Sequence, residues 1–168
     1  MIFLDESGVN TNMTRAYGRA KHDKRAVDST ILNTPTTTTI LGAMRRNGDI
    51  RYTIYQGGTT AEKFKKYLKD ILLPSMGTDD VIIMDNMRSH HAKIVKSLLD
   101  KNGIGYIYLP PYSPDLNPIE KVWSKMKAFL KKLKIQKAAQ LPHGIKAALN
   151  TITPDNCKGW FHACGYMQ

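Results

Sequence analysis

The succession of elements in this chain of 168 residues predicts an α/β fold, a mixed sheet flanked by helices on both faces. Three features predict it: a short apolar strand followed by a hairpin, a change of apolar spacing from strand-like to helical, and strand alternating with helix from there on. Met1 to Asp5 is the first strand, and the basic, glycine-containing stretch from Arg15 to Arg25 is irregular. Thr37 to Met44 and Ile50 to Tyr55 pair through Arg46-Asn47-Gly48-Asp49, whose Asn-Gly pair accepts the positive φ of a tight turn. Ala61, Phe64, Tyr67, Leu68 and Ile71 then recur at helical spacing, with Thr59 or Thr60 as cap and Pro74 as the stop. Val81 to Met84 is the next strand. Ala92, Val95, Leu98 and Leu99 mark a helix between Ser89 and Asp100, which Asn102-Gly103 ends, and Ile104 to Leu109 is the last strand. Beyond a proline-rich loop, Ile119, Val122, Trp123, Met126, Phe129, Leu130 and Leu133 form the clearest helical stripe of the chain. Two further helices carry Ile145, Ala148, Leu149 and Ile152, and then Cys157, Trp160, Phe161 and Cys164 after a Thr153-Pro154 start. A core of about 135 residues and a helical extension over the remainder are expected to make one domain.

Composition narrows the partners. Lys and Arg total 25 against 14 acids, a net charge of +11, which favours a polyanion, nucleic acid foremost. Cys157 and Cys164 are too few for a disulfide framework and suit a reducing compartment. Apolar runs such as Ile71-Leu72-Leu73 are far below the roughly 18 residues of a membrane helix. A cytoplasmic protein that does not engage membranes is expected.

The element order is that of a ribonuclease-H-like fold, in which the strands carrying Asp5 and Asp85 lie side by side and Glu120 leans over them from the last core helix. Three carboxylates on separate rigid elements supply the hard oxygen ligands that divalent cations need at a phosphate. Each acid also has a local explanation. Asp85-Asn86 is ordinary turn chemistry, and Asn117, Pro118 and Glu120 fit the N-cap, N1 and N3 places of a capping box. Asp115 competes for the third place. Asp5, which closes an apolar strand, is the least explained by local structure.

Phe3-Leu4-Asp5-Glu6-Ser7-Gly8, Met84-Asp85-Asn86 with His90 downstream, and Leu109-Pro110-Pro111-Tyr112-Ser113-Pro114-Asp115-Leu116-Asn117-Pro118-Ile119-Glu120 closely resemble the catalytic blocks of bacterial insertion-sequence transposases of the mariner-like superfamily, a group of DDE endonucleases. The end of the chain, Gly159-Trp160-Phe161-His162 through Cys164-Gly165-Tyr166, is similar to theirs as well. The resemblance implies that Asp5, Asp85 and Glu120 ligate two Mg²⁺ or Mn²⁺ ions, the 34 residues between Asp85 and Glu120 matching one branch of the superfamily. Activated water then cuts a transposon-end phosphodiester, and the freed 3′-hydroxyl joins target DNA. It also implies double-stranded DNA as partner and a homodimer on that DNA. Such transposases usually carry a helix-turn-helix region ahead of the first catalytic strand. That region is expected to be absent here, end recognition falling to a separate subunit or reading-frame product. Arg19 stands where relatives commonly have tryptophan. The rival readings are a stand-alone nuclease of the same fold and a non-catalytic DNA-binding remnant.

Lys121, Lys125, Lys127, Lys131, Lys132, Lys134 and Lys137 crowd the last core helix and its exit without an acid among them, unlike a merely solvated face. Phosphate contact explains such a run, for Lys121, Lys125, Lys127, Lys131 and Lys132 above all. Arg15, Arg19 and Lys21 head a second basic cluster whose alternative is a plain surface loop. Glu6, Asn86, His90 and Asn117 are expected to border the acidic site, with a plain surface place at a helix start as the favoured alternative for His90 and His91. Cys157, His162 and Cys164 have spacing unlike a zinc site, so core packing is the expectation for the cysteines.

Overall fold

A computed structural model of the chain describes residues 1–14, 18–27 and 37–166. Its five strands are β1 (Ile2–Val9), β2 (Thr38–Met44), β3 (Ile50–Gln56), β4 (Val81–Met84) and β5 (Gly105–Tyr108), in the spatial order β3-β2-β1-β4-β5. β1, β2 and β3 pair antiparallel, whereas β4 and β5 run parallel to β1. The helices are α1 (Ala61–Tyr67), α2 (Lys93–Lys101), α3 (Ile119–Leu133), α4 (Leu141–Leu149) and α5 (Pro154–Ala163).

Alternation along the strands sends neighbours to opposite faces. Phe3, Ile40, Met44 and Ile83 meet Val122, Trp123, Met126, Ile145 and Phe161 on the face covered by α3, α4 and α5. Ile2, Leu4, Leu41, Ile82 and Met84 meet Phe64, Leu68, Val95 and Leu99 on the face covered by α1 and α2. The last two helices therefore belong to the core, where both cysteines are buried as free thiols. Thr153 and Asn156 form the capping box that starts α5, and Phe161 meets Phe3 edge to face at 5.2 Å.

Two elements differ from the sequence expectation. β1 continues to Val9 instead of ending at Asp5, because its antiparallel ladder with β2 runs from Phe3–Met44 to Val9–Thr38. β4 pairs only with Ile2, Phe3 and Leu4, so Asp5 lies where β1 loses its parallel neighbour and keeps its antiparallel one. The helix after Thr60 is capped as expected, its hydroxyl accepting from the Lys63 N–H, but it widens at Leu68–Leu72 into a π turn before a 3-10 turn at Leu73–Ser75. Pro74 has no N–H to continue the i→i−4 ladder, and the chain changes winding ahead of it.

Gly42 faces Asp5 across the β1–β2 ladder, and a Cβ there would stand 3.0 Å from the edge of the buried Trp123 indole. Gly42→Ala is expected to cost about 1–3 kcal/mol in urea unfolding, the usual range for overpacking a filled core. An unchanged midpoint would mean that Trp123 has room to shift. Among the described residues, no helix is long and apolar enough to cross a membrane.

Candidate active site

Asp5 is 4% exposed. Its Oδ1 accepts from the Glu6 N–H at 2.7 Å and its Oδ2 from Asn117 Nδ2 at 3.1 Å. Burial pushes its carboxyl up to about 7; the Glu6 N–H and Trp123 oppose this, while the charges of Glu120 and Asp85 add to it. Asp85 follows the last residue of β4. Its Oδ1 lies 2.8 Å from His90 Nδ1 and also accepts from the Met87 N–H at 3.2 Å. Burial raises the Asp85 carboxyl, but the hydrogen bond and charge of His90 outweigh it and hold the group below its ordinary range.

His90 is wholly buried. Its ring lies on Phe64 with centroids 4.4 Å apart, and its carbonyl accepts from the Tyr108 hydroxyl at 3.1 Å. Burial alone lowers the imidazole; Asp85 more than reverses this and keeps it raised. Asn86 hydrogen-bonds His91, whose ring stacks on Tyr108 at 4.1 Å. Glu6 belongs to the other side of the sheet. Alternation turns it away from Asp5, toward Thr59 and the charge of His90, and burial raises its carboxyl.

Glu120 enters from the first turn of α3. The capping box expected at this helix start does not form: Pro118 occupies the N-cap place without a side-chain bond, because the Asn117 amide is turned onto Asp5. The capping-box explanation for Asn117 thus fails, while Glu120 remains an acid in a first helical turn. Asp115 is exposed in a 3-10 turn and takes no part in the cleft.

Asp5, Asp85 and Glu120 line one open cleft of about 470 Å³, walled by Asn86, Met87, Asn117 and the loop from Leu109 to Pro114. Among the described residues, no three acidic, histidine or cysteine side chains are placed closely enough to hold a metal ion as they stand. An open set of carboxylates suits a cation such as Mg²⁺, which keeps several waters and takes one or two protein carboxylates. It suits Zn²⁺ poorly. The supports that sequence reasoning missed are Gly42, Phe64 and Trp123, each of which looks like ordinary packing until the strands are in register.

Of the basic residues, Lys121 and Lys132 are exposed and Lys127 and Lys131 half-buried. Lys125 is half-buried and tied down, donating to the Thr151 carbonyl at 2.8 Å and to Asn156 Oδ1 at 2.6 Å, which pins α3 to the start of α5. Arg19 and Lys21 are exposed, and Arg15 lies outside the described residues.

The family model described as DDE superfamily endonuclease matches residues 1–142. The chain belongs to this family. No curated protein sequence matches it. Among solved structures, this DDE endonuclease is similar to the crystal structure of a pre-cleavage Mos1 transpososome, with a TM-score of 0.81 at 16% identity, over 97% of this chain and 52% of that one. It is also similar to the catalytic domain of Mos1 mariner transposase, with a TM-score of 0.70 at 15% identity, over 97% of this chain and 76% of that one. A strand transfer complex of Mos1 aligns at a TM-score of 0.74 and 16% identity, over 97% and 50% of the two chains. These likenesses show the ribonuclease-H-like fold, and the DDE endonuclease spans about half the length of the first of them.

Proposed function

We propose that the chain is the catalytic domain of a metal-dependent DNA transposase, residues 1–168 acting as one unit with Asp5, Asp85 and Glu120 as ligands of two Mg²⁺ or Mn²⁺ ions. The observation that carries this reading is the convergence of three carboxylates from β1, the end of β4 and α3 on one cleft, where burial first, and then the charges of Glu120 and Asp85, push Asp5 up to about 7. Divalent cations relieve that repulsion, and hard oxygen donors are what they take. Mos1 structures that contain Mn or Mg support the choice of ion, and those of paired-end complexes support transposon-end DNA as the partner, on which we place a homodimer.

When bound, the cations lower the pKa of an attacking water and neutralise the departing 3′ oxygen. The protein holds the carboxylates in place: His90 keeps Asp85 ionised and oriented, the Asn117 amide and the Glu6 N–H fix the two oxygens of Asp5, and Glu120 is left open to the cleft. No side chain serves as a covalent nucleophile. Water attacks a phosphodiester and a 3′-hydroxyl leaves; that hydroxyl then attacks a target phosphodiester and displaces a 3′ oxygen there. Lys121, Lys127, Lys131 and Lys132, with Arg19 and Lys21, contact DNA phosphates, and Lys125 keeps its place within the fold. The protein works where cellular DNA lies, in the cytoplasm on the nucleoid.

The test is plasmid nicking and oligonucleotide joining by the purified chain in Mg²⁺, Mn²⁺ or EDTA, beside Glu120→Gln. Cutting that requires the metal and disappears in the variant is the expected result. Equal cutting in EDTA, or by the variant, would remove the acidic site from the reaction.

A further inference from the structure

A second concave surface lies on the opposite side of the sheet from α3, between α1 with its π turn and α2. Lys65, Lys69, Lys93 and Lys101 line it with Ser97 and Leu98, and no carboxylate does. Its volume is about 520 Å³. Other lysines of α1 are partnered: Lys63 donates to the carbonyls of Gln56 and Gly58, and Lys66 pairs with Asp70 at 2.7 Å. The ammonium groups of the four groove lysines make no hydrogen bond or ion pair among the described residues, although the charge of Lys69 reaches Asp70. Lys65 and Lys69 are also one helical turn apart, a like-charge spacing that weakens a helix slightly. The like charges cost the fold slightly, and a bound polyanion would relieve that cost.

Position selects the polyanion. His90 and His91, which touch Asp85 and Asn86, immediately precede α2, so Lys93 stands at the catalytic edge of the sheet. From there α2 runs back between the parallel strands β4 and β5, and Lys101 is about 12 Å further on by helix rise. Along the duplex axis, where one strand carries a phosphate about every 3.4 Å, that length spans three to four phosphate steps. The groove offers lysine only, a point charge suited to backbone phosphate irrespective of base.

We infer that the α1–α2 groove binds the backbone of double-stranded DNA as that DNA passes beyond the catalytic cleft, making it a contact surface separate from α3. The inference rests on the reading of the chain as a DNA-cutting enzyme, and its test separates the two. The affinity of the full chain for an unrelated labelled duplex is measured by fluorescence anisotropy in EDTA over a series of salt concentrations. The fourfold variant Lys65→Gln, Lys69→Gln, Lys93→Gln, Lys101→Gln is compared with the fourfold Lys→Arg variant. The glutamine variant is expected to bind at least tenfold more weakly at low salt, with its log–log salt slope smaller by about three, near 0.9 per lost phosphate contact. The arginine variant keeps the wild-type slope. An unchanged slope in the glutamine variant overturns the groove, as does displacement of duplex from the wild type by a multiply phosphorylated peptide more effectively than by unlabelled duplex. Plasmid nicking in Mg²⁺ is read in parallel. Nicking with an unchanged slope removes the groove and leaves the enzyme; a reduced slope without nicking removes the enzyme and leaves a DNA-binding groove.

Discussion

Asp5→Asn is expected to abolish metal-dependent DNA cutting while making the metal-free protein more stable at pH 8. Both effects have one origin. A carboxyl that ordinarily ionises near 3.8 and here near 7 is disfavoured in its charged form by burial and by Glu120 and Asp85. Once ionised it works against the fold by roughly 4 kcal/mol. Because the folded-state value is the higher one, its effect on stability is felt as pH rises from about 4 to 7, and the wild type loses stability across that window. Asparagine cannot ionise. Its Oδ1 still accepts from the Glu6 N–H, and the Asn117 amide has only to turn its oxygen toward the new NH₂ group. Thermal unfolding in EDTA between pH 4 and 8, with and without Mn²⁺, reads the effect. The variant is expected to lose less stability than the wild type between pH 4 and 7, and Mn²⁺ is expected to stabilise the wild type much more than the variant. A wild type whose melting is indifferent both to pH and to Mn²⁺ would show that Asp5 is neither strained nor a ligand.

His90→Ala is expected to damage both stability and cutting. It empties a fully buried site packed on Phe64, a change that typically costs about 2–4 kcal/mol, and it removes the group that orients Asp85. Partners of metal ligands are usually worth about 10–100-fold in affinity or activity. The pH dependence identifies the ion pair. The lowered Asp85 contributes above its ordinary value of 3.8 and loses its contribution as pH falls; the raised His90 contributes below its ordinary 6.5 and loses it as pH rises. The pair therefore stabilises most between those values, and the deficit of the variant should be larger at pH 5 than at pH 9. An equal deficit at both would assign the loss to packing alone. His90→Asn, which can still donate to Asp85, is expected to recover part of the cutting.

The strand–helix order, the hairpin turn and the stripe from Ile119 to Leu133 were legible because each depends on local spacing. The acidic cleft was legible only as three separate positions. Asp85 had turn chemistry as a sufficient local cause, and Glu120 had a capping box. It is the side chain of Asn117, drawn 112 residues along the chain to Asp5, that cancels the second explanation, and no local pattern predicts such a bond. The roles of Gly42 and Trp123 were hidden for the same reason, since both follow from strand register. The extent of β1 depended on a partner, because an antiparallel ladder carries Glu6 to Val9 forward after β4 has turned away. Lysine spacing along α3 suggested a uniform basic face, yet one ammonium is claimed by Thr151 and Asn156, whose position follows from how the last helices fold back.

That folding back limits where the protein can be shortened. The region matched by the family model stops at residue 142, one residue into α4 beyond its start at Leu141. A fragment trimmed to that boundary would keep every acidic ligand and discard Ile145, Ala148, Cys157 and Phe161, the underside against which Phe3 and the apolar stripe of α3 are packed. Glu120 would then ride on a helix still seated on the sheet but stripped of its cover by α4 and α5. Loss of activity in such a fragment would report a wandering ligand, although its catalytic sequence would be intact.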